Sequence, residues 1–241
     1  MRSSTRKEFL QTSAVLLATA LAGTSFDIKK SNPLLAFSTL GCPDWTFQQI
    51  VDFAVQHGYK GIEVRGIQRQ MDLAKCDIFS AENIQATLQL MKDKGLQFVD
   101  LGSSATLHFN EGAEREKNLD EGKRFIDLAE RISCPYIRVF PNNFPKDQDK
   151  DTTIHFIVKG LLTLGDYAKG KNVTVLMETH GELVKTEDLE KVMKMSAHPN
   201  VGLVWDITNM WTITKESPAI MYKKTKKVHP SYTYQRRNAR G

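Results

Sequence analysis

Apolar positions along this chain alternate between short continuous runs and helical spacing, and the alternation repeats. "LLAFSTLG" (34–41) is an apolar run, and Pro43 and Asp44 after it signal a helix start. Over 45–57, Phe47, Ile50, Val51, Ala54 and Val55 recur at helical spacing, and Gly58 ends that helix. "GIEVRG" (61–66) reads as a second strand. Ser80 is the expected cap of a helix carrying Ile84, Leu88 and Met91, which Gly95 stops. "LQFVDLGSS" (96–104) is the third strand, and a helix through Phe125, Leu128 and Ile132 leads to "YIRVFP" (136–141), the fourth. Ile157, Leu161, Leu164 and Tyr167 mark the next helix, before "VTVLMETHG" (173–181). Thr186 opens a helix through Leu189, Val192 and Met193, and "VGLVWDITN" (201–209) is the sixth strand.

Near-continuous apolar strands suit a parallel sheet covered on both faces, so the class is α/β. No GxGxxG or P-loop follows the first strand, which argues against an open nucleotide-binding sheet. Polar residues instead recur at the C-terminal ends of the strands: Arg65, Ser103, Asn142, Glu178, His180, Asp206 and Asn209. A (β/α)8 TIM barrel places its chemistry there. The expected fold is such a barrel, incomplete, with about six β/α units present.

Charge changes the picture little. The net +5 is concentrated at the ends: residues 1–22 carry +2 and residues 215–241 carry +7, leaving −4 for the body. A mildly acidic body offers no basic face, so no nucleic-acid partner is expected. The N-terminus, "MRSSTRKEFLQTSAVLLATALAG", has a basic start, a short apolar run and a small-x-small cleavage site, the pattern of an export signal over 1–22. "TRKEFLQ" resembles a twin-arginine signal with Lys7 in the second arginine's place, so the twin-arginine and general secretory routes both stay open. Residues 23–33 read as a linker, and the protein is expected to be periplasmic with no stable membrane anchor. Cys42, Cys76 and Cys134 form neither a CxxC pair nor a zinc pattern, and fit three partly buried free thiols rather than a disulfide framework.

Candidate chemistry centres on Glu178 and Asp206, which end the fifth and sixth strands, 28 residues or about one β/α unit apart. Two carboxylates brought together there repel unless a cation or a proton lies between them. Oxygen ligands suit Mg²⁺ or Mn²⁺, and imidazole in the set shifts the preference toward Mn²⁺, Co²⁺ or Zn²⁺. A carboxylate beside such an ion can remove a proton from the carbon next to a polarised carbonyl. His180 reads as a substrate contact or a hydrogen-bonded loop histidine, and His108 in "TLHFN" likewise. Glu63 and Arg65 are expected to alternate between strand faces, with Arg65 a structural ion pair or a substrate contact.

"FSTLGCPDWTFQQIVDFAVQHGYKGIEVRG", "VLMETHG" and "VGLVWDITNMW" resemble the xylose isomerase-like TIM-barrel family of sugar-phosphate isomerases and epimerases, over residues 34–227. The resemblance implies that Glu178 and Asp206 bind a divalent metal and that Glu178 also acts as acid/base. It places Asn209 where relatives often have histidine. An amide can hydrogen-bond a sugar hydroxyl but does not titrate near neutrality. The implied function is isomerisation or epimerisation of a sugar or sugar phosphate by proton transfer next to a carbonyl. For an exported protein, a free sugar is the expected small-molecule partner. A non-catalytic carbohydrate-binding barrel is the alternative, and an endonuclease IV-like phosphodiesterase a further one.

Beyond Val228 the apolar periodicity stops. "KVHPSYTYQRRN" can be encoded so that loss of one base in the Val228 codon yields K-Y-I-L-H-T-H-I-K-D-A, similar to the family's metal-binding seventh strand. Residues 228–241 are therefore expected to be an out-of-frame, unstructured tail. The barrel would then be truncated and impaired, lacking two strands and two metal ligands, with open edges able to self-associate.

Overall fold

Seven strands hydrogen-bond side by side in the order of the sequence, each parallel to the next. They are β1 (Ala36–Ser38), β2 (Gly61–Val64), β3 (Gln97–Thr106), β4 (Tyr136–Phe140), β5 (Thr174–Glu178), β6 (Val201–Asp206) and β7 (Thr233–Arg236). The helices between them are α1 (Phe47–Gln56), α2 (Ile84–Asp93), α3 (Ala113–Arg131), α4 (Lys150–Ala168), α5 (Thr186–Met195), α6 (Ile207–Thr214) and α7 (Pro218–Val228). The computed structural model describes residues 35–228 and 233–236. The segments expected to be an export signal (1–22) and a linker (23–33) lie outside them. The sheet curls into part of a TIM barrel, and among the described residues β1 and β7 do not pair to close it. Among the described residues, no helix is long and apolar enough to cross a membrane.

Local sequence explains the element ends. Thr46 and Gln49 form a reciprocal capping box at α1, and Asp149 caps α4 through the Thr152 N–H. Asp206 does the same for α6, accepting from the Asn209 N–H at 2.8 Å. Two boundaries differ from the sequence reading. Asn83, rather than Ser80, precedes the first turn of α2, because a turn over 81–83 intervenes; Ser80 Oγ accepts from the Asn83 N–H at 3.3 Å and so caps that turn instead. The sixth strand stops at Asp206, where that carboxylate starts a helix instead.

Residues 229–232 and 237–241 of the expected tail lie outside the described residues, but four residues of it are ordered into a strand. Thr233–Arg236 pairs with β6, with Val204 opposite Tyr234 and Asp206 opposite Arg236. A strand edge presents unpaired N–H and C=O groups, and a short extended segment satisfies them whatever its side-chain pattern.

Alternation sorts the sheet into two faces. Val201, Leu203 and Trp205 face the helices: Val201 packs close to Gly165 of α4, and Trp205 stacks on Tyr222 of α7 at 5.7 Å. With Ile62, Phe98, Ile137, Val139, Val175 and Met177 they form one continuous apolar core with the helices. Leu176 and Val204 are buried too but lie outside that core, because they point to the inner, barrel face. The inner face otherwise carries Glu63, Asp100, Arg138, Glu178 and Asp206, all buried. Glu63 and Arg65, two residues apart, share this face, which corrects the expected alternation.

A β-bulge puts Asp100 there. Ile62 pairs with Phe98 but Glu63 with Asp100, so Val99 is the extra residue. Gly61 makes room for it: a Cβ at Gly61 would sit 2.4 Å from Val99 Cγ1 and 3.0 Å from Ala36 Cβ. Val99 is β-branched and fixed in a strand, so it cannot move aside. Gly61→Ala is expected to cost about 1–3 kcal/mol in urea unfolding. Gly41→Ala, with nothing within 4 Å of its Cβ, is the control and should change stability by under about 0.5 kcal/mol.

The three thiols are buried and unpaired. Burial pushes the Cys76 thiol up to about 11, with nearby Asp72 adding to it, and raises Cys42 and Cys134 as well. At pH 8 all three are thereby protonated and shielded. Ellman's reagent should modify none in the native protein and all three in guanidinium, at the unfolding rate. Rapid native labelling would contradict this packing.

Candidate active site

β5 delivers Glu178 to the inner face at its C-terminal end, and β6 delivers Asp206 to the same face. The register pairs Glu178 with Val204. Asp206 therefore stands one strand over and one pleat further, about 7 Å along the strand direction. Both are essentially inaccessible to solvent, at 1 % and 0 % exposure. The structure thus brings these two acids together on one face.

Glu178 is engaged by Arg138, whose Nε lies 2.9 Å from Glu178 Oε2. Arg138 comes from the middle of β4 and is itself buried. Its Nη1 donates to the Ser103 carbonyl at 2.5 Å, and Ser103 Oγ donates back to the Arg138 carbonyl at 2.7 Å. The guanidinium carbon lies 3.9 Å from the Phe140 ring centroid. Gly102 provides the space, since a Cβ there would come within 2.9 Å of Arg138 Nη2. Three contacts and the space left by Gly102 therefore define where this cation sits.

Arg65 reaches the same spot from the other side. Its Nη1 donates to the Gly102 carbonyl at 3.3 Å and its Nη2 to Ser104 Oγ at 2.9 Å. Its Cδ would lie 2.8 Å from a Cβ on Gly102. Arg65 and Arg138 thus flank one glycine, so a side chain there would displace both.

His180, two residues beyond Glu178, is half-buried with its ring 4.6 Å from that of Phe140. Phe140 stands between Arg138 and His180 beside Glu178. Asn209 is half-buried on the first turn of α6, its Nδ2 3.5 Å from the Thr179 carbonyl. Thr179 Oγ1 accepts from the Asp206 N–H at 2.8 Å, tying the ends of β5 and β6 together. His108 lies elsewhere, in the loop after β3. Its ring packs on Phe109 at 4.1 Å, its Nδ1 is buried with no hydrogen-bond partner, and burial lowers its pKa.

The loops above Glu178 pack against each other. Gly181 adopts a left-handed φ of 64°, and a Cβ there would sit 2.6 Å from the Asn142 carbonyl oxygen. Glu182 Oε2 accepts from the Phe144 N–H at 2.6 Å. The β4 and β5 loops are thereby one unit at the rim.

Sequence reasoning missed Arg138. Its signal was available: a lone arginine inside the apolar run "YIRVF" needs a partner wherever it is buried.

Among the described residues no group of three or more His, Cys, Asp or Glu side chains is arranged to hold a metal. The donors at hand are the two carboxylates, with Glu178 Oε2 shared with Arg138 and Asp206 Oδ1 with a helix N–H. An oxygen-only pair fits a hard cation such as Mg²⁺ or Mn²⁺, which keeps water or substrate oxygens in its shell. Structural or catalytic Zn²⁺ takes three or four protein ligands, which this pair does not supply.

A parallel half-barrel with buried acids at adjacent strand ends defines a class of α/β-barrel proteins. The model of the xylose isomerase-like TIM barrel family matches residues 51–240, and the chain belongs to that family. A curated relative, the 3-dehydroshikimate dehydratase of Bacillus anthracis, is 24 % identical over 169 residues, covering 69 % of this chain and 58 % of that protein. The chain thus spans less than two thirds of that relative's length. The structure of D-psicose 3-epimerase with D-tagatose from Clostridium cellulolyticum H10 matches with a TM-score of 0.67 at 12 % identity, covering 83 % of this chain and 72 % of that one. A xylose isomerase-like TIM barrel protein from Mycobacterium smegmatis in complex with magnesium matches at 0.61 and 18 % identity, covering 80 % and 71 %. These structural likenesses concern the fold. The neighbours are dehydratase, epimerase and isomerase-type enzymes, some of them metal-bound.

Proposed function

We propose that the chain is an isomerase or epimerase-type protein that moves a proton next to a carbonyl of a sugar, with Glu178 as the proton-transfer group. The observation that carries this is Glu178 itself, a buried carboxylate at a strand end, oriented by Arg138 and facing the same way as Asp206. Inverting a carbon beside a carbonyl and eliminating water from a β-hydroxyketone share a first step, removal of the proton alpha to the carbonyl. The reading therefore suits both reactions named among the relatives.

In this proposal Arg138 holds Glu178 Oε2, and Oε1 takes the proton. Asp206, tied to Thr179, would help hold a divalent ion with Glu178, Mg²⁺ or Mn²⁺ before Co²⁺ or Zn²⁺. Bound there, the ion would supply polarisation of the substrate carbonyl. His180 and Asn209 at the rim, and Arg65 below them, would bind hydroxyl groups and orient the ring. A free sugar is the favoured substrate class, in keeping with an exported protein.

The test is hydrogen exchange in D₂O with Mg²⁺ or Mn²⁺ present, using free 2-ketoses and 3-dehydroshikimate and reading loss of the carbon-bound proton by NMR. Exchange on a ketose supports the proposal, and exchange on 3-dehydroshikimate alone would overturn the sugar as substrate while keeping proton transfer. Saturable sugar binding without exchange would overturn it in favour of a carbohydrate-binding barrel.

A further inference from the structure

Arg138 stands outside every sequence expectation, yet its Nε lies 2.9 Å from Glu178 Oε2. Its anchors are the Glu178 carboxylate, the Ser103 carbonyl and the Phe140 face, in the space left by Gly102. A guanidinium keeps its charge at any accessible pH. A cation so fixed already answers the question raised by two acids at neighbouring strand ends, namely what offsets their charge. The second acid has its own partial answer, because Asp206 accepts from the positive end of α6 through the Asn209 N–H.

We propose that Arg138 is a built-in counter-cation for Glu178, so that a divalent ion shared by Glu178 and Asp206 is held weakly and exchangeably. The inference rests on the reading that these two acids share an ion. Arg138 touches neither the ion nor the substrate, so it is a positioning residue acting through Glu178. A fixed positive charge within one side chain of the ion repels it strongly in a buried setting. With Oε1 kept for the proton, Oε2 is the oxygen left to the ion, and the ion would have to share it with Arg138.

Mn²⁺ alone is the probe, titrated into the full chain and followed by the EPR signal of free Mn²⁺. The wild type is expected to bind with a Kd of roughly 0.1–1 mM, in the range of weak oxygen-ligand sites. Arg138→Met is expected to tighten binding by at least about tenfold by removing the repulsion. Arg138→Lys, which keeps the charge, should stay within about threefold of wild type, since the charge sets the affinity. Adding Glu178→Gln to Arg138→Met should remove the tightened site. The sign is diagnostic, because structural damage weakens binding and cannot tighten it.

A wild-type Kd below about 10 µM, two decades from the expected range, overturns the proposal without any variant. So does unchanged or weaker binding in folded Arg138→Met, equal tightening in Arg138→Lys, or tightened binding that survives Glu178→Gln. Should Arg138→Met fold only when Mn²⁺ is present, that dependence counts as the tightened binding. If it does not fold at all, the wild-type and Arg138→Lys affinities decide. Because no sugar is involved, failure of proton exchange leaves this result standing, and the converse also holds.

Discussion

Glu178→Gln should lower exchange of the substrate's carbon-bound proton by about 10²- to 10⁴-fold, the range lost with a general base. The amide is nearly isosteric and keeps an oxygen for Arg138, 2.9 Å away in the native pair. It cannot accept a proton from carbon. The expected signature is a loss in kcat with little change in sugar affinity, because the hydroxyl contacts come from His180, Asn209 and Arg65. Circular dichroism and the melting temperature serve as the control for fold. A variant that retains exchange within about threefold of wild type would remove Glu178 from the chemistry, since a loss so small lies well below the contribution of a general base.

The second large effect is on stability. Arg138→Met leaves Glu178 buried at 1 % exposure without its guanidinium, and a broken buried ion pair costs about 3–5 kcal/mol. Ser103 also loses the donor to its carbonyl. Replacing both partners, Arg138→Met with Glu178→Leu, removes the two charges together and should recover most of that loss. Urea unfolding of the two single variants and the double variant closes the cycle. If the double variant is as unstable as the sum of the singles, the pair is not coupled and its geometry is wrong. Together with the Mn²⁺ titration, this separates what Arg138 does for the fold from what it does for the acid.

Much of the architecture was legible because its signals are local. Apolar runs gave β1 to β6, helical spacing gave α1 to α5, and glycines and caps set most boundaries. Glu178 and Asp206 were legible because each ends an apolar strand, one β/α unit apart. Tyr167 was misjudged as part of an apolar face: it is exposed and hydrogen-bonds Asp127 through its hydroxyl. An amphipathic ring satisfies a helical spacing rule without being in the core. The end of β6 was misplaced because the residues after Asp206 are apolar, and apolar runs do not distinguish strand from helix.

By itself, then, the chain's sequence determined the parallel α/β plan and the two strand-end acids, since periodicity and strand termini are properties of neighbouring residues. Only the tertiary structure decided that Arg138 meets Glu178, that Gly102 makes room for it, that a bulge turns Asp100 inward and that Thr233–Arg236 joins the sheet. Those outcomes depend on register and on which strand lies beside which. One residue of slip moves a side chain to the opposite face, and no local pattern records it.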